Sequence, residues 1–257
     1  MTKIDDSGAF ETAEGRLEQG LLFLCDHASN RLPEAYGSLG LPAGQFHRHI
    51  AFDIGARDVT LGLAARFGAP ALLTRFSRLL IDPNRGLDDP TLIMQLSDGA
   101  VVPGNATLDE AERARRIDQF HRPYHRAINT MLDRMMVHEV VPVIVSIHSF
   151  TPFWKGWPRP WHVGLLWDRD ARMVAPMLEA LRTVPGLVVG DNEPYSGALD
   201  GDTLSTHGTR RGIPHVLIEV RQDLIAGEMG VAQWVDILAE ALQPVIDHPE
   251  VRKFAGK

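Results

Sequence analysis

Short apolar segments alternate with longer amphipathic ones along this chain, and that alternation constrains the fold more than any other feature. LLFLCDH (21–27), VPVIVSIHSF (141–150) and IPHVLIEVRQDL (213–224) have the length and composition of buried strands. IGARDVTLGLAARFG (54–68) and MGVAQWVDILAEALQPVI (229–246) have the spacing of amphipathic helices. Strands that alternate with helices predict an α/β fold with a three-layer, mixed, mostly parallel sheet flanked by helices.

Three further segments carry structural expectations. Residues 1–19 are polar and are expected to form a frayed leader. RLLID (78–82) is expected to continue the preceding strand or to form another one, and the Pro-, Gly- and Asp-rich residues 83–105 are expected to form a long loop. No repeat or linker-like segment interrupts the sequence, so we expect a single domain over residues 1–257.

Charge and cysteine content exclude several classes of function. The formal net charge is −7 and no stripe of Lys and Arg is present, so nucleic acid is not an expected partner. The single cysteine, Cys25, cannot form an intramolecular disulfide. The N-terminus has no apolar signal segment, and no apolar run reaches the length of a membrane span. These features predict a cytoplasmic protein, and they leave open whether it forms a homo-oligomer.

Four of the apolar segments end in polar residues. These ends are Asp26-His27, Arg78 to Arg85, His148-Ser149 and Glu219-Val220-Arg221. Because ligands of open α/β sheets bind outside the carboxyl ends of the strands, we expect these groups to converge at one edge. Imidazoles, carboxylates and guanidinium groups together are what metal-assisted hydrolysis of a carboxylated substrate requires.

The histidines at two of these strand ends are candidate metal ligands. His27 and His148 each end a buried strand, where a neutral imidazole can bind zinc. A catalytic zinc site has three protein ligands and keeps one position for water. The third ligand would be an oxygen donor, and either Asp53 or Asn30 could supply it. The expected cofactor is therefore Zn²⁺, with another divalent metal as the alternative.

Glu219 is the candidate general base. It lies within the apolar run of the last strand, where an unpaired carboxylate is costly or has a raised pKa. Such a group could take a proton from a water molecule at neutral pH. The structural alternative is that Glu219 forms an ion pair with Arg221 or Arg211.

Residues 78–85 supply the groups best suited to a substrate carboxylate. Arg85 can bind a carboxylate through two hydrogen bonds, Asn84 stands beside it, and Arg78 is available for the reacting carbonyl. The alternative is that these are loop charges, with Asp82 paired to Arg85. In all, the candidate substrate-binding residues are Asn84, Arg85, His125 in HRPYH, His207 in STHGTRRG, and Arg221.

Six motifs in this order resemble the N-formylglutamate amidohydrolase family. They are CDHASNRLP, HIAFDIGA, SRLLIDPNR, RPYHRAI, SIHSFTP and IPHVLIEVRQDL, and the resemblance covers roughly residues 21–245. It implies hydrolysis of N-formyl-L-glutamate, or of a related N-acyl amino acid, to the free amino acid and a carboxylate. It also implies a fold like that of the zinc carboxypeptidases and aspartoacylases.

The resemblance also implies roles for individual residues. It makes His27 and His148 zinc ligands and Glu219 the base. The clamp for the substrate carboxylate would be Asn84 with Arg85, and Arg78 would lie near the scissile carbonyl. Where the relatives have a glutamate ligand three residues after the first histidine, this chain has Asn30. Either Asn30 is a weaker ligand or Asp53 takes that position, and we favour Asp53.

Two other functions remain as alternatives to an N-acyl amino acid hydrolase. The first is a metallo-carboxypeptidase or amidase that acts on a peptide or a cell-wall fragment. The second is a binding protein that kept the pocket and lost the metal, which the asparagine at position 30 keeps open.

Overall fold

The computed structural model describes residues 2–5 and 7–255, and an eight-stranded sheet forms its centre. The strands are β1 (Thr2–Ile4), β2 (Phe10–Ala13), β3 (Leu21–Cys25), β4 (Ala71–Thr74), β5 (Leu96–Ser97), β6 (Ala100–Val101), β7 (Val143–Phe150), β8 (Phe153–Trp154), β9 (Trp157–Pro158), β10 (Val163–Leu166), β11 (Val189–Asp191) and β12 (His215–Arg221). The helices are α1 (Ala56–Phe67), α2 (Pro103–Ala106), α3 (Glu110–Arg116), α4 (Arg122–Met136), α5 (Val174–Arg182), α6 (Thr203–His207) and α7 (Glu228–Ile246).

The central sheet is mixed, with its parallel strands at the centre. Its order is β1-β2-β4-β3-β7-β12-β10-β11, and β5-β6 and β8-β9 form two separate hairpins. The pairs β4-β3, β3-β7, β7-β12 and β10-β11 are parallel, whereas β1-β2, β2-β4 and β12-β10 are antiparallel. The predicted fold class, a mixed and mostly parallel sheet flanked by helices, is confirmed.

Helices cover both faces of the sheet, because the central strands are apolar on both sides. On β7, Val145 and Ile147 belong to the core cluster that includes residues of α1, α5 and α7. Ile144 faces the opposite layer, where it belongs to the cluster that includes residues of α4. His148 shares the face of Ile144, since side chains two residues apart on a strand point to the same side.

The expected frayed leader at residues 1–19 is wrong for two segments. Strand β2 pairs with β4, and β1 pairs with β2, so both belong to the main sheet. Their polar composition reflects an edge position rather than disorder. On β2 the carboxylate of Glu11 accepts hydrogen bonds at 3.0 and 2.7 Å from Arg57, and one at 3.0 Å from Thr2.

The expected strand at residues 78–82 is also wrong. This segment turns instead, with Leu80 N donating to Ser77 O at 2.9 Å. Leu79, Leu80 and Ile81 are buried in a separate core cluster beneath the long loop. The segment is therefore apolar because it packs against that loop, and not because it lies in the sheet.

The carboxyl ends of β3, β7 and β12 lie side by side at one edge. The register places Glu219 of β12 directly opposite His148 of β7. Strand β3 pairs with the other side of β7 and leads into Asp26 and His27. The fold therefore brings three of the polar strand ends to one place. Over residues 2–5 and 7–255, no helix combines the length and the apolar character needed to cross a bilayer.

Candidate active site

A cavity of about 230 Å³ lies at this edge of the sheet. Seven of the residues singled out in the sequence line it: His27, Asp53, Arg78, Asn84, Arg85, His148 and Glu219. They come from different parts of the chain, so the fold alone brings them together. The cavity is smaller than the sites that bind drug-sized ligands, which suits a small substrate.

Three of these side chains converge on one point. The Nδ1 atoms of His27 and His148 lie 3.2 and 2.8 Å from the same oxygen, Oδ2 of Asp53. The two imidazole centroids are 5.0 Å apart, and all three side chains are buried. Asp53 is held beside β3, since its N–H donates to the carbonyl of His27 at 3.0 Å.

A second carboxylate contacts the far side of each imidazole. Nε2 of His27 donates to Asp82 at 2.7 Å, and Nε2 of His148 donates to Asp26 at 3.1 Å. Because an ionised carboxylate can only accept hydrogen bonds, Nε2 of each ring carries a proton. Nδ1 of each ring points to Asp53 on the opposite side, and this is the ring atom that a metal ion at Asp53 would bind in place of a proton.

Opposite charges dominate the ionisation of this cluster. Although burial opposes a charge on His148, its hydrogen bonds to Asp26 and Asp53 raise its pKa well above the ordinary value. Burial likewise opposes the charge on Asp53, but the two histidines hold the pKa of Asp53 below its ordinary value. The cluster is thus built to hold positive charge between carboxylates.

The donor set fits a divalent metal ion. One ligand atom each from His27, Asp53 and His148 lies within 4.8 Å of the other two, and both Nδ1 atoms contact the same Asp53 oxygen. Ligands that each lie ~2 Å from one zinc ion stand ~3 Å from each other, close to the separations found here. Carboxylates behind both imidazoles are also typical of metal-binding histidines, whose orientation and basicity they set.

Removing one of the carboxylates behind the imidazoles should lower the metal affinity of the site. We expect Asp26→Asn to weaken zinc binding by about 10- to 100-fold, because the amide no longer supplies a charged acceptor to His148 Nε2. Competition with a fluorescent zinc chelator measures the affinity. Asp98→Asn, which removes a carboxylate outside the cavity, is the control and should bind zinc like the parent protein.

Glu219 is a buried carboxylate without a cationic partner at contact distance. It is 7% exposed, and its Oε2 atom has no hydrogen-bond partner among the described residues. Arg221 pairs with Asp223 at 2.8 Å and Arg211 pairs with Asp133 at 2.6 Å, so neither forms the ion pair considered from the sequence. Burial raises the pKa of Glu219 to about 7, which suits a group that exchanges protons near neutrality.

The raised pKa of Glu219 predicts a stability change in the metal-free protein. A carboxyl that binds its proton more tightly when folded destabilises the folded state as pH rises from about 4.5 to about 7. After chelation, Glu219→Gln should therefore be more stable than the parent by about 1–3 kcal/mol at pH 8. The difference should vanish near pH 4.5. Urea unfolding at both pH values measures it, and equal stabilities at pH 8 would contradict it.

Arg78 is held in place by two carboxylates. Its guanidinium group donates to Asp82 at 2.6 and 3.1 Å and lies 3.5 Å from Asp53. The positive charge of Arg78 can stabilise a negative charge that develops in the cavity. Asp82 and Asp53 already balance part of this positive charge. Asp82 therefore pairs with Arg78 and His27, and not with Arg85 as the sequence alternative had it.

The Asn84–Arg85 pair presents its polar side chains to the cavity. Thr203 N donates to Asn84 Oδ1 at 3.0 Å, which leaves the amide nitrogen of Asn84 available for a ligand. Nε of Arg85 donates to Thr91 at 3.1 Å and Nη1 donates to the carbonyl of Asn84 at 2.7 Å. We call this pair the clamp.

His125 and His207 lie behind the clamp and line a second cavity. His125 Nε2 donates to the carbonyl of Pro83 at 2.8 Å, and its Nδ1 lies 2.8 Å from Nε2 of His207. His121 Nε2 donates to the carbonyl of Arg85 at 3.0 Å. His121 thus supports the backbone of the clamp, His125 supports the residue before it, and His207 supports His125. None of the three lines the first cavity.

Arg221 and Asn30 also lie outside the first cavity. Arg221 contacts Asp223 and two backbone carbonyls. The Asn30 amide donates to the carbonyl of Phe46 at 2.8 Å and lines a different cavity. Of the two alternatives for a third metal ligand, the structure places Asp53, and not Asn30, beside both histidines.

Two groups of residues at the site were not predicted from the sequence. The first is Asp26 and Asp82, which contact the imidazoles of His148 and His27. The second is the loop after β11, which contributes Tyr195, Leu199 and Asp202 to the cavity wall. This loop has no periodicity, so no pattern in the sequence marks it.

Two glycines allow that wall to pack closely on the strands beneath it. A Cβ on Gly164 of β10 would lie 1.8 Å from the carbonyl oxygen of Glu193. A Cβ on Gly197 would lie 2.2 Å from the backbone nitrogen of Trp167. Both contacts are with backbone atoms, so only glycine fits at either position while the loop keeps this path.

Comparisons with known proteins identify the family of this chain. A model of the N-formylglutamate amidohydrolase family matches residues 19–226. The structure of gene product Atu2144 from Agrobacterium tumefaciens is 34% identical, with a TM-score of 0.87, over 93% of this chain and 94% of that one. N-formylglutamate amidohydrolase from Ralstonia eutropha JMP134 shares the fold, with 22% identity and a TM-score of 0.67 over 92% of this chain and 97% of that one.

None of the curated proteins matches the sequence. The family model nevertheless spans most of the chain, and the residues it covers include all seven that converge on the first cavity. The protein therefore belongs to the N-formylglutamate amidohydrolase family and is a hydrolase of amide bonds.

Proposed function

We propose that this protein is a metal-dependent amidohydrolase that removes the acyl group of an N-acyl amino acid, of the class to which N-formyl-L-glutamate belongs. The observation that carries the proposal is the meeting of two imidazoles on one Asp53 oxygen, beside the buried carboxylate of Glu219, which has no cationic partner at contact distance among residues 2–5 and 7–255. Zinc is the metal that this donor set suits best.

The metal would be held by His27, Asp53 and His148. A divalent cation bound there would polarise the acyl carbonyl and lower the pKa of a water molecule. The chain's own residues then have separate tasks. The clamp binds the α-carboxylate through the Asn84 amide nitrogen and the free edge of the Arg85 guanidinium group, which fixes the distance from the carboxylate to the reacting carbon.

Glu219 carries the proton through the reaction. It accepts a proton from water while the water oxygen attacks the acyl carbon, and Arg78 stabilises the negative charge that develops on the carbonyl oxygen. The carbon–nitrogen bond then breaks, and Glu219 delivers the proton to the leaving nitrogen. The products are a carboxylic acid and a free amino acid, so atoms and charge balance with one water consumed.

A hydrolysis screen tests this proposal. The protein is stripped by chelation, resupplied with Zn²⁺, Co²⁺ or Mn²⁺, and assayed on N-formyl and N-acetyl amino acids and on short peptides with a free C-terminus. We expect turnover of the acyl amino acids only after metal is returned. Cleavage of the peptides alone would identify a metallo-carboxypeptidase. Failure to retain metal, together with no turnover, would identify a binding protein.

The size of the cavity favours the first outcome over the peptidase. A volume of about 230 Å³ accommodates a single acylated amino acid, whereas a peptide or a cell-wall fragment needs an extended cleft.

A further inference from the structure

We propose that Arg159, acting through the hydroxyl of Tyr195, makes this site select N-acyl amino acids whose side chain carries a second carboxylate. The inference rests on the proposed function, because it assigns the residues that recognise the side chain of the same substrate. It begins from the guanidinium groups at the first cavity and from the carboxylates that already balance them.

One guanidinium group of the first cavity is free for the α-carboxylate of the substrate. Arg78 lines the cavity but is paired with Asp82 and Asp53. Arg85, which belongs to the clamp, donates only to neutral groups among the described residues. The α-carboxylate would occupy Arg85, so a carboxylate on the substrate side chain needs a further cation.

Arg159 supplies a buried positive charge behind the cavity wall. It is 8% exposed, and its Nη1 atom donates to the Tyr195 hydroxyl at 2.9 Å and to the Thr151 hydroxyl at 3.3 Å. Tyr195 and Thr151 both line the first cavity, so the guanidinium group is one hydrogen bond removed from it. In the part of the chain that the structure describes, Arg159 has no carboxylate partner.

Three aromatic rings hold the guanidinium group of Arg159 in place without neutralising it. Its Cζ atom lies 5.0 Å from the ring centroid of Tyr195, 5.3 Å from that of Trp154 and 5.7 Å from that of Phe150. Cation–π contacts stabilise a cation, but its charge still acts on a nearby anion. Because a buried charge without a counter-ion is unfavourable, a carboxylate bound beside Arg159 is favoured over a neutral group of the same size.

The Tyr195 hydroxyl is the group that would contact this carboxylate. Its oxygen accepts from Arg159, and its own proton has no acceptor among the residues described. Burial and the charge of Glu219 raise the pKa of Tyr195, so the phenol keeps that proton and can donate it at neutral pH. A carboxylate that accepts from Tyr195 lies close to Arg159, and the two charges attract. A side-chain amide gains the hydrogen bond without that attraction.

N-formyl-L-glutamate and N-formyl-L-glutamine make a matched pair of substrates, since they have the same shape and differ in charge. In the metal-loaded protein we expect kcat/KM to be at least about tenfold higher for the glutamate compound. Arg159→Met fills the space among the three rings without a charge. This variant should lose about tenfold of the preference, mainly through a higher KM for the glutamate compound. The glutamine compound should change by less than about threefold.

Two further variants separate the charge of Arg159 from its packing. Arg159→Lys keeps a positive charge and should retain part of the preference, whereas Tyr195→Phe removes the hydroxyl and should lose part of it. Arg169→Met is the control, because that side chain is 84% exposed and lies outside the first cavity, so the preference should not change. Calorimetric titration of the metal-loaded proteins with L-glutamate and L-glutamine, the two product amino acids, gives a readout that does not depend on turnover. The ratio of the two Kd values should follow the same order.

The outcomes separate this inference from the proposed function. If the parent hydrolyses N-formylglutamine at least as fast as N-formylglutamate, the role of Arg159 is refuted while the proposed function stands. The same holds if Arg159→Met slows both compounds equally, which is the result that a purely structural role predicts. If neither compound is hydrolysed with any metal, and neither amino acid binds, the proposed function fails and the inference falls with it.

Discussion

Replacing Glu219 with glutamine is expected to lower kcat by about 10²- to 10⁴-fold, the usual contribution of a general base. The amide has the same shape as the carboxylate but cannot accept the proton of the attacking water. Steady-state kinetics on an N-formyl amino acid measures the loss. KM should change little, because Glu219 does not belong to the clamp.

A zinc determination on the same sample shows whether the loss of activity comes from the missing base or from a loss of metal. Glu219→Gln should retain one equivalent of zinc, as Glu219 is not one of the three candidate ligands His27, Asp53 and His148. Glu179→Gln, an exposed position on α5, is a matched control and should keep the activity of the parent. Full activity in Glu219→Gln would remove the proposed base from the mechanism.

Replacing Asp53 with asparagine is expected to abolish metal binding and, with it, all turnover. Asp53 offers the one oxygen that both imidazoles face, so a neutral amide there removes the negative charge of the ligand set. In the parent protein, zinc at a thousandfold excess over Kd should stabilise the folded state by about 4 kcal/mol. For a chain of this size that is a rise in Tm of roughly 10 °C, and Asp53→Asn should lose it.

Asn30→Ala distinguishes the two ligands that the sequence left open. Since the Asn30 amide is engaged with the carbonyl of Phe46 outside the first cavity, this variant should retain both the zinc equivalent and the zinc-dependent rise in Tm. A variant pair with the opposite behaviour, in which Asn30→Ala loses zinc and Asp53→Asn keeps it, would overturn the assignment of the third ligand.

The centre of the fold was predictable because strand burial leaves a clear pattern. Strands β3, β7 and β12 are continuous apolar runs, and a histidine or a glutamate stands out at the end of such a run. Parallel strands bring their ends together, so His27, His148 and Glu219 could be grouped without any knowledge of distances. The register that pairs Glu219 with His148 could not be inferred, because it depends on how the whole sheet aligns.

The wrong predictions for residues 78–82 and 1–19 share one physical cause. The apolar or polar character of a segment indicates where it lies in the fold, and not which secondary structure it forms. Residues 78–82 are apolar because they pack beneath a loop, and residues 10–13 are polar because they lie near the edge of a sheet. His125 and His207 face the back of the clamp, and nothing in the spacing of a helix reveals which cavity a side chain will line.

The close contacts of Gly164 and Gly197 mean that the volume available to a substrate also depends on how the loop of the cavity wall packs against β10 and Trp167. A methyl group at either position would push the loop that carries Tyr195 and Asp202 away from its support, and so alter the cavity without touching any group that binds substrate. Changes in acyl or side-chain preference could therefore arise at positions remote from the reaction. An attempt to widen the specificity of this enzyme should begin with the length and seating of residues 192–199, before the clamp itself is changed.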